Sequence, residues 1–412
     1  MLISKKYVFL LINFVMMTGI MFSVTDFFLT DFGIKFKYVF ILYCLADVIS
    51  HKKKPCSRNL MLLFSLLILY VLAWGFVFKN PVVASQIAAH RKTMLIYLAM
   101  LILCALEVIY YKCVEEYTLS SGAALCLVLV VQVVRHRNEM ILNPVFAVRS
   151  FLAHDLVRSS FGFLHTNFVG NSCFLILCIL FMLYIFHLGN ILLHSRIRIM
   201  LALAGLAVFL IMLCTSSRTA MICLAVFAGG AAVIRLLESV HLSPASIKAS
   251  KRYAAVGLPI LLALFFATGI WDYIWVRSNR SLNVSKNIQW VPIVGNIWTG
   301  MGFVENDAFI TDASNNWISA FGVGTSSLDM NYLYTYCTTG ILGCAVMALI
   351  LLILGIGLYK NRKQKYGYYY FLLYVVILFY ACMETILFTY RFWAMMIPNV
   401  ILFYGANKER SR

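Results

Sequence analysis

Residues 332–358 read YLYTYCTTGILGCAVMALILLILGIGL, with no charged side chain among them. A helix of roughly 20 apolar residues crosses the hydrocarbon core of a bilayer, and this stretch exceeds that length. It reads as a membrane span, and the rest of the chain has the same character. Of 412 residues, 62% are hydrophobic and 12% are charged. Soluble domains run at roughly 45–50% apolar and ~25% charged, so a soluble chain of this length would have nowhere to bury its apolar side chains. A mean hydropathy of +0.88 agrees. A soluble enzyme, a secreted disulfide module and a disordered chain are excluded. The sequence predicts an all-α polytopic membrane protein, one integral membrane domain over 1–412.

Twelve segments qualify as spans: 7–24, 34–50, 60–78, 94–111, 118–134, 168–188, 197–214, 220–237, 254–271, 332–358, 367–385 and 392–405. The first follows Lys5 and Lys6 without a small-residue cleavage site, so it reads as a retained span rather than a signal peptide. Cytoplasmic connections of membrane proteins are rich in Lys and Arg. With the N-terminus inside, the inner segments take 20 of the 34 Lys and Arg residues, most densely in 51–59 and 360–367. An even number of spans then puts both termini in the cytoplasm.

Fourteen cations are left outside: Lys35, Lys37, Lys79, Arg91, Lys92, Arg135, Arg137, Arg149, Arg158, Arg218, Arg277, Arg280, Lys286 and Arg391. Nine of them are Arg. Charge bias disfavours them there, so they require a second cause, and a polyanionic substrate at the outer face supplies one. Guanidinium forks match phosphate oxygens and stay charged. The net charge of +18 therefore does not point to nucleic acid. The twelve Cys fall in spans, at their ends, or in inner connections, with no Cys-x-x-Cys spacing and no disulfide framework.

Two outer connections are long, 135–167 and 272–331, and long connections usually carry function. The first holds His136, His154 and His165, whose spacing fits no helix-borne metal pattern. The second runs through Trp271, Trp275, Trp290, Trp298 and Trp317. An interfacial aromatic belt accounts for the first two. The other three lie well along the loop, where flat indole faces suit contact with sugar rings.

Four motifs carry candidate chemistry. Cys214-Thr-Ser-Ser217-Arg218-Thr-Ala220 lies between two spans at their outer end. An Arg among hydroxyls at a helix start is suited to a lipid-borne phosphate. Gly322-Val-Gly324-Thr-Ser-Ser-Leu-Asp329-Met-Asn331-Tyr332 brings an acid and an amide to the mouth of the tenth span. Asp329 there can accept or position a hydroxyl proton, or cap the helix. Arg158, Gly162, His165 and Asn167 lead into the sixth span. Glu384, in an apolar stretch before Tyr390-Arg391-Phe-Trp393, calls for a cationic partner such as an Arg.

In this order the motifs resemble those of the bacterial O-antigen/capsule polymerase and O-antigen ligase superfamily. The matching residues are Arg158/Gly162/His165/Asn167, Ser217-Arg218, and Gly322/Gly324, Asp329, Asn331, Tyr332, Leu333, Gly340/Gly343. The likeness covers roughly 150–345. It implies a GT-C-type glycosyltransferase architecture of membrane helices in the bacterial cytoplasmic membrane, with a metal-independent site at the outer face and no cofactor. It implies polyprenyl-diphosphate-linked oligosaccharides as donor and acceptor, with membrane lipids, a chain-length regulator and a flippase as further partners.

On that resemblance Arg218 contacts the diphosphate, and Arg158, Arg277, Arg280 or Arg391 assists it. Asp329, or else His165, handles the proton of the attacking hydroxyl. Asn167, Ser217, Asn331, Tyr332 and Glu384 complete the substrate-binding set. Ligase-like members tend to carry His where this chain has Asp329, so the resemblance implies a repeat-unit polymerase with inverting chemistry. An O-antigen ligase and a lipid-linked oligosaccharide flippase are the rival readings. Two long outer connections disfavour the flippase.

Overall fold

The computed structural model describes residues 4–27, 30–50, 56–78, 84–139, 159–188, 195–215, 217–239, 296–300, 302–303, 331–388 and 390–407. Among them the chain is helical and forms no strand, only isolated bridges between Thr25 and Phe163 and between Asn296 and Gly300. The helices are α1 (Lys5–Phe22), α2 (Thr30–Ser50), α3 (Arg58–Leu72), α4 (Ala84–Tyr111), α5 (Val114–Arg135), α6 (Thr166–Leu188), α7 (Ser195–Thr215), α8 (Arg218–Ser239), α9 (Asn331–Lys360), α10 (Gly367–Ala381) and α11 (Met396–Ala406). They stand at eleven of the twelve expected spans, while 254–271 lies outside the described residues. Among the described residues six helical segments are long and apolar enough to cross a membrane, and four more are apolar but shorter. The chain is a helical membrane protein.

Polar residues punctuate the apolar runs. The Ser57 hydroxyl caps α3 by accepting from the Leu60 amide. Glu115 and Glu116 begin α5 and Arg135 ends it, each matched to the charge of its helix end. Helix α11 is short, yet nearly every residue from Met396 to Ala406 is buried. Its Pro398 falls in the first turn, where a missing amide donor costs little. Helices α4, α5, α9 and α10 pack directly on α11. The bundle closes around it in the order α3, α9, α10, α8, α6, α5, α1, α2, α4 and back to α3, with α7 lying against α6.

Close backbone approach and sparse polar bonds hold these helices together. A Cβ on Gly122 of α5 would come within 2.7 Å of Ile179 in α6, and one on Gly405 of α11 within 2.8 Å of Tyr370 in α10. Small residues at such crossings maximise dispersion contact where lipid removes the hydrophobic drive. Asn13 of α1 donates to the Ser121 hydroxyl of α5 at 3.0 Å, and Asn399 of α11 to the Tyr97 hydroxyl of α4 at 3.4 Å. The Tyr380 hydroxyl of α10 donates to Asn171 of α6.

One end of the bundle gathers ion pairs: Lys5 with Asp47 at 2.8 Å, Lys365 with Glu115 at 3.4 Å, and Lys6 with Glu116. Helix α1 starts and α11 stops at this end, where Asn407 accepts from the Ser57 amide at 2.8 Å. The opposite end, called distal below, carries the motifs.

Helix α9 breaks at Gly340, whose φ is +64°. The gap is filled by part of the second long connection. The amides of Ile341 and Leu342 donate to the carbonyls of Ile297 (3.1 Å) and Trp298 (3.0 Å), and the Gly302 amide donates to the Thr338 carbonyl (2.7 Å). Beside the break α3 widens into a π turn, Ala73–Val77, and the Trp74 indole donates to the Thr299 carbonyl at 2.9 Å. Backbone freed inside a membrane protein has to be satisfied by protein. The sequence reading put the whole of 272–331 beyond the helix ends, and this piece instead folds back onto α9. Trp298 contributes its carbonyl there, its amide donates to Asn296 Oδ1 within the same piece, and its side chain is exposed.

Gly300 makes that approach possible, since a Cβ there would lie 2.6 Å from the backbone of Thr338, Thr339 and Gly340. Gly300→Ala is expected to cost about 2 kcal/mol, from steric overlap with a backbone that cannot yield. Gly229→Ala, where a Cβ meets nothing within 4 Å, leaves stability unchanged or slightly raised. Thermal unfolding of both variants in detergent checks the contrast.

Candidate functional site

Three helices begin at the distal end around one buried carboxylate. Glu384 follows α10, its amide still bonded to the Tyr380 carbonyl at 3.0 Å, and it is 7% exposed. Asn167, in the first turn of α6, donates from Nδ2 to Glu384 Oε1 at 3.3 Å. Sequence reasoning calls for a cation such as an Arg against Glu384, and the side chains of Arg218 and Arg391 lie outside the described residues.

Ser217 and Arg218 open α8. Ser217 is buried, and its carbonyl accepts the Met221 amide at 3.1 Å. A Cβ on Gly170 would lie 2.3 Å from the Ser217 Cβ, so only glycine lets the start of α8 close on α6. Asn331 opens α9. Its Oδ1 accepts the Leu387 amide at 2.9 Å, and its Nδ2 donates to the Thr335 hydroxyl at 3.4 Å. One side chain thus ties the mouth of α9 to the segment after Glu384. The Tyr332 hydroxyl donates to the Leu378 carbonyl of α10 at 3.0 Å. Asn331 and Tyr332 were expected to bind substrate, and both have polar groups committed to positioning the surrounding chain.

His165 is exposed and precedes α6. Its Nδ1 accepts the Asn167 amide at 3.1 Å, satisfying one of the unpaired donors of that helix end. A neutral ring in this arrangement carries its proton on Nε2, so the outer nitrogen faces outward as a donor. Arg218 and Arg391 are placed by backbone alone, as the first residue of α8 and within the tight turn Tyr390–Met395. Arg158, Arg277, Arg280 and Asp329, with Gly322 and Gly324, lie outside the described residues.

The arrangement favours an anion next to Glu384. Each helix N-terminus carries about half a positive charge from unpaired amides, and three of them meet here. Helix starts of this kind take up phosphate and carboxylate groups through backbone donors. Among the described residues no three His, Cys, Asp or Glu are grouped to share a metal ion.

Sequence reasoning missed what holds the strand of chain entering α6. Asp26, in the turn after α1, accepts from Gln132 (3.0 Å) and Arg135 (2.9 Å) and pairs with His136 Nε2 (2.9 Å), all at the end of α5. Its amide donates to the Gly162 carbonyl at 2.8 Å, and the Leu164 amide donates to the Val24 carbonyl at 3.1 Å. Gly162 has φ +73°, and a Cβ on it would lie 2.2 Å from His136. On the other flank the Ser159 amide reaches the Cys214 carbonyl at 3.2 Å. Residues 159–165 are thereby fixed between α1, α5 and α7, and they deliver Asn167 to Glu384. The one signal in the sequence was an Asp in a short outer connection, and its partners are more than a hundred residues away.

No protein-family model matches the chain, and a search of curated proteins finds no match.

Burial works against the Asp26 charge. Gln132, His136 and Arg135 outweigh it and hold the carboxyl below its ordinary range. A depressed acid stabilises the fold above its unfolded pKa, and that contribution disappears as pH falls through the lowered folded value. Residues 159–165 are therefore expected to stay protected at pH 7 and to loosen below about pH 4, near the unperturbed Asp pKa. Asp26→Asn is expected to show the loosened state at both. Hydrogen exchange of this segment in micelles at pH 7 and pH 3 reads the difference.

Proposed function

We propose that this chain is a repeat-unit polymerase of a bacterial surface polysaccharide. In this reading twelve helices, in a GT-C-type arrangement, cross the cytoplasmic membrane with both termini in the cytoplasm. The distal end faces outward, where O-antigen or capsule units wait on polyprenyl diphosphate. One observation carries the reading. Asn167, Ser217 and Asn331, taken from three separate motifs, stand at the starts of three helices that meet around Glu384. That end is the one opposite the ion-paired Lys5, Lys6 and Lys365.

The chemistry follows from the charges. A sugar hydroxyl of the incoming lipid-linked unit attacks the anomeric carbon of the growing glycan. A new C–O bond forms as the anomeric carbon–phosphate oxygen bond breaks, and the electron pair leaves with polyprenyl diphosphate. Asp329 takes the hydroxyl proton; His165, the second candidate, has its one accepting nitrogen already engaged by the Asn167 amide. In-line displacement inverts the anomeric centre. Charge grows on the departing diphosphate, and Arg218 together with the α8 amides meets it as preorganised donors. Asn167 keeps Glu384 in place, and Glu384 in turn limits the surplus positive charge of three helix ends.

Deleting the gene in its native host is expected to leave single capped repeats in place of a polysaccharide ladder. Arg218→Lys keeps the charge but loses the planar fork, and is expected to slow transfer about 100-fold. A full ladder in the Arg218→Lys strain would overturn diphosphate recognition at that position. A ladder that persists on the polyprenyl carrier after deletion would mark a ligase. Single units trapped on the cytoplasmic face would mark a flippase.

A further inference from the structure

The outer wall of the bundle holds a groove that the transfer reaction does not use. Where α3 gives way to the π turn Ala73–Val77, the wider turn carries one more residue per bond and swells the helix wall. An open groove of about 400 Å³ runs along this stretch, lined by Leu69, Leu72, Ala73, Phe76, Val77 and Phe78. Every one of these side chains is apolar, and Leu69, Leu72, Phe76 and Val77 are exposed. A cation stands beside the distal half of the groove. The stem of Arg91, early in α4, crosses Gly75, with Cγ 3.6 Å from where a Cβ there would stand. Its guanidinium carbon lies 4.5 Å from the centre of the Phe76 ring, one wall of the groove. Among the described residues no carboxylate pairs with Arg91.

An apolar groove facing lipid tails has little to gain from one tail over another, because the solvent is as apolar as the wall. Selectivity has to come from the charge at its edge. Contact with an aromatic face attracts a guanidinium without using up its N–H donors, and those donors match phosphate oxygens. We propose that the groove and Arg91 together bind an anionic phospholipid of the leaflet at the distal end, with one acyl chain along α3 and the phosphate on Arg91. Length selects this occupant. At ~1.5 Å rise per residue, Leu69 to Phe78 spans about 13 Å. That is close to one leaflet of a hydrocarbon core ~30 Å thick. An acyl chain fills such a depth, while a polyprenyl chain outruns it. Charge selects the headgroup, since a zwitterionic lipid brings its own cation towards Arg91 and an anionic one does not. The groove also reaches the break in α9. Phe78 packs on Trp74 with ring centroids 5.4 Å apart, and the Trp74 indole holds the Thr299 carbonyl. A chain lying against Phe78 thereby braces the piece of the second long connection that fills the break. The site stands whether or not the chain is a polymerase.

The test uses the full chain in maltoside micelles and counts retained lipid by native mass spectrometry, with phosphatidylglycerol and phosphatidylcholine as probes. Wild type is expected to hold one phosphatidylglycerol about tenfold more tightly than phosphatidylcholine, as for one charge-assisted contact. Arg91→Gln is expected to level the two lipids, and Arg91→Lys, which keeps the charge, to retain most of the preference. Val77 is exposed, so Val77→Trp folds; it fills the groove and is expected to shed the bound lipid with Arg91 intact. Equal retention of the two lipids by wild type, or a preference unchanged in Arg91→Gln, would overturn the site. Binding that survives Val77→Trp would mean a headgroup contact with no chain in the groove and would overturn it too. Displacement of phosphatidylglycerol by an equimolar amount of undecaprenyl phosphate would assign the groove to an isoprenoid carrier and overturn the phospholipid.

Discussion

Apolar helices in an apolar solvent gain little by hiding side chains from it, so cohesion has to come from elsewhere. In this chain it comes from backbones that approach closely and from a few polar side chains that find each other across helices. Gly122 against Ile179 and Gly405 against Tyr370 are the close approaches. Asn13 with Ser121 and Tyr380 with Asn171 are the polar links. Each is small alone. Their distribution along both the ring and the core sets one register for the whole bundle, and the distal end inherits its geometry from that register.

The same constraint builds the site. A helix start leaves amides unpaired, and inside a membrane protein those amides need an answer. Glu384 sits where three such starts converge, and Asn167 fixes its orientation. Binding positions and structural positions therefore overlap. Asn331 joins α9 to the segment after Glu384, so a change there loosens the start of α9 from that segment. Asp26 acts from further away, through the chain it pins between α1 and α5.

Much of this was legible in the sequence, for identifiable reasons. Spans announce themselves because an apolar run of bilayer length has no other use. The mouths of α6, α8 and α9 were legible because amides and hydroxyls interrupt apolar runs just there. What could not be read was pairing at a distance. Nothing near Asp26 names Gln132 or His136, and nothing near Gly300 names Gly340. The position of α11 was equally hidden, since a helix apolar on all sides looks the same at the centre as it does against lipid. Lys37 was counted among the outer cations, but only the fold puts it over Trp393.

The place of α11 has a consequence in time. Chains enter the membrane from the N-terminus onward, and the helix at the middle of this bundle is made after the other described helices. Until Met396–Ala406 emerges, α4, α5, α9 and α10 have inserted but have nothing between them. The ring must wait, held by its neighbours' contacts alone, and then admit α11 at its axis. A chain cut before Met396 therefore leaves a hollow assembly rather than a slightly shortened protein. Met396–Ala406 becomes the checkpoint that decides whether the earlier helices were worth making.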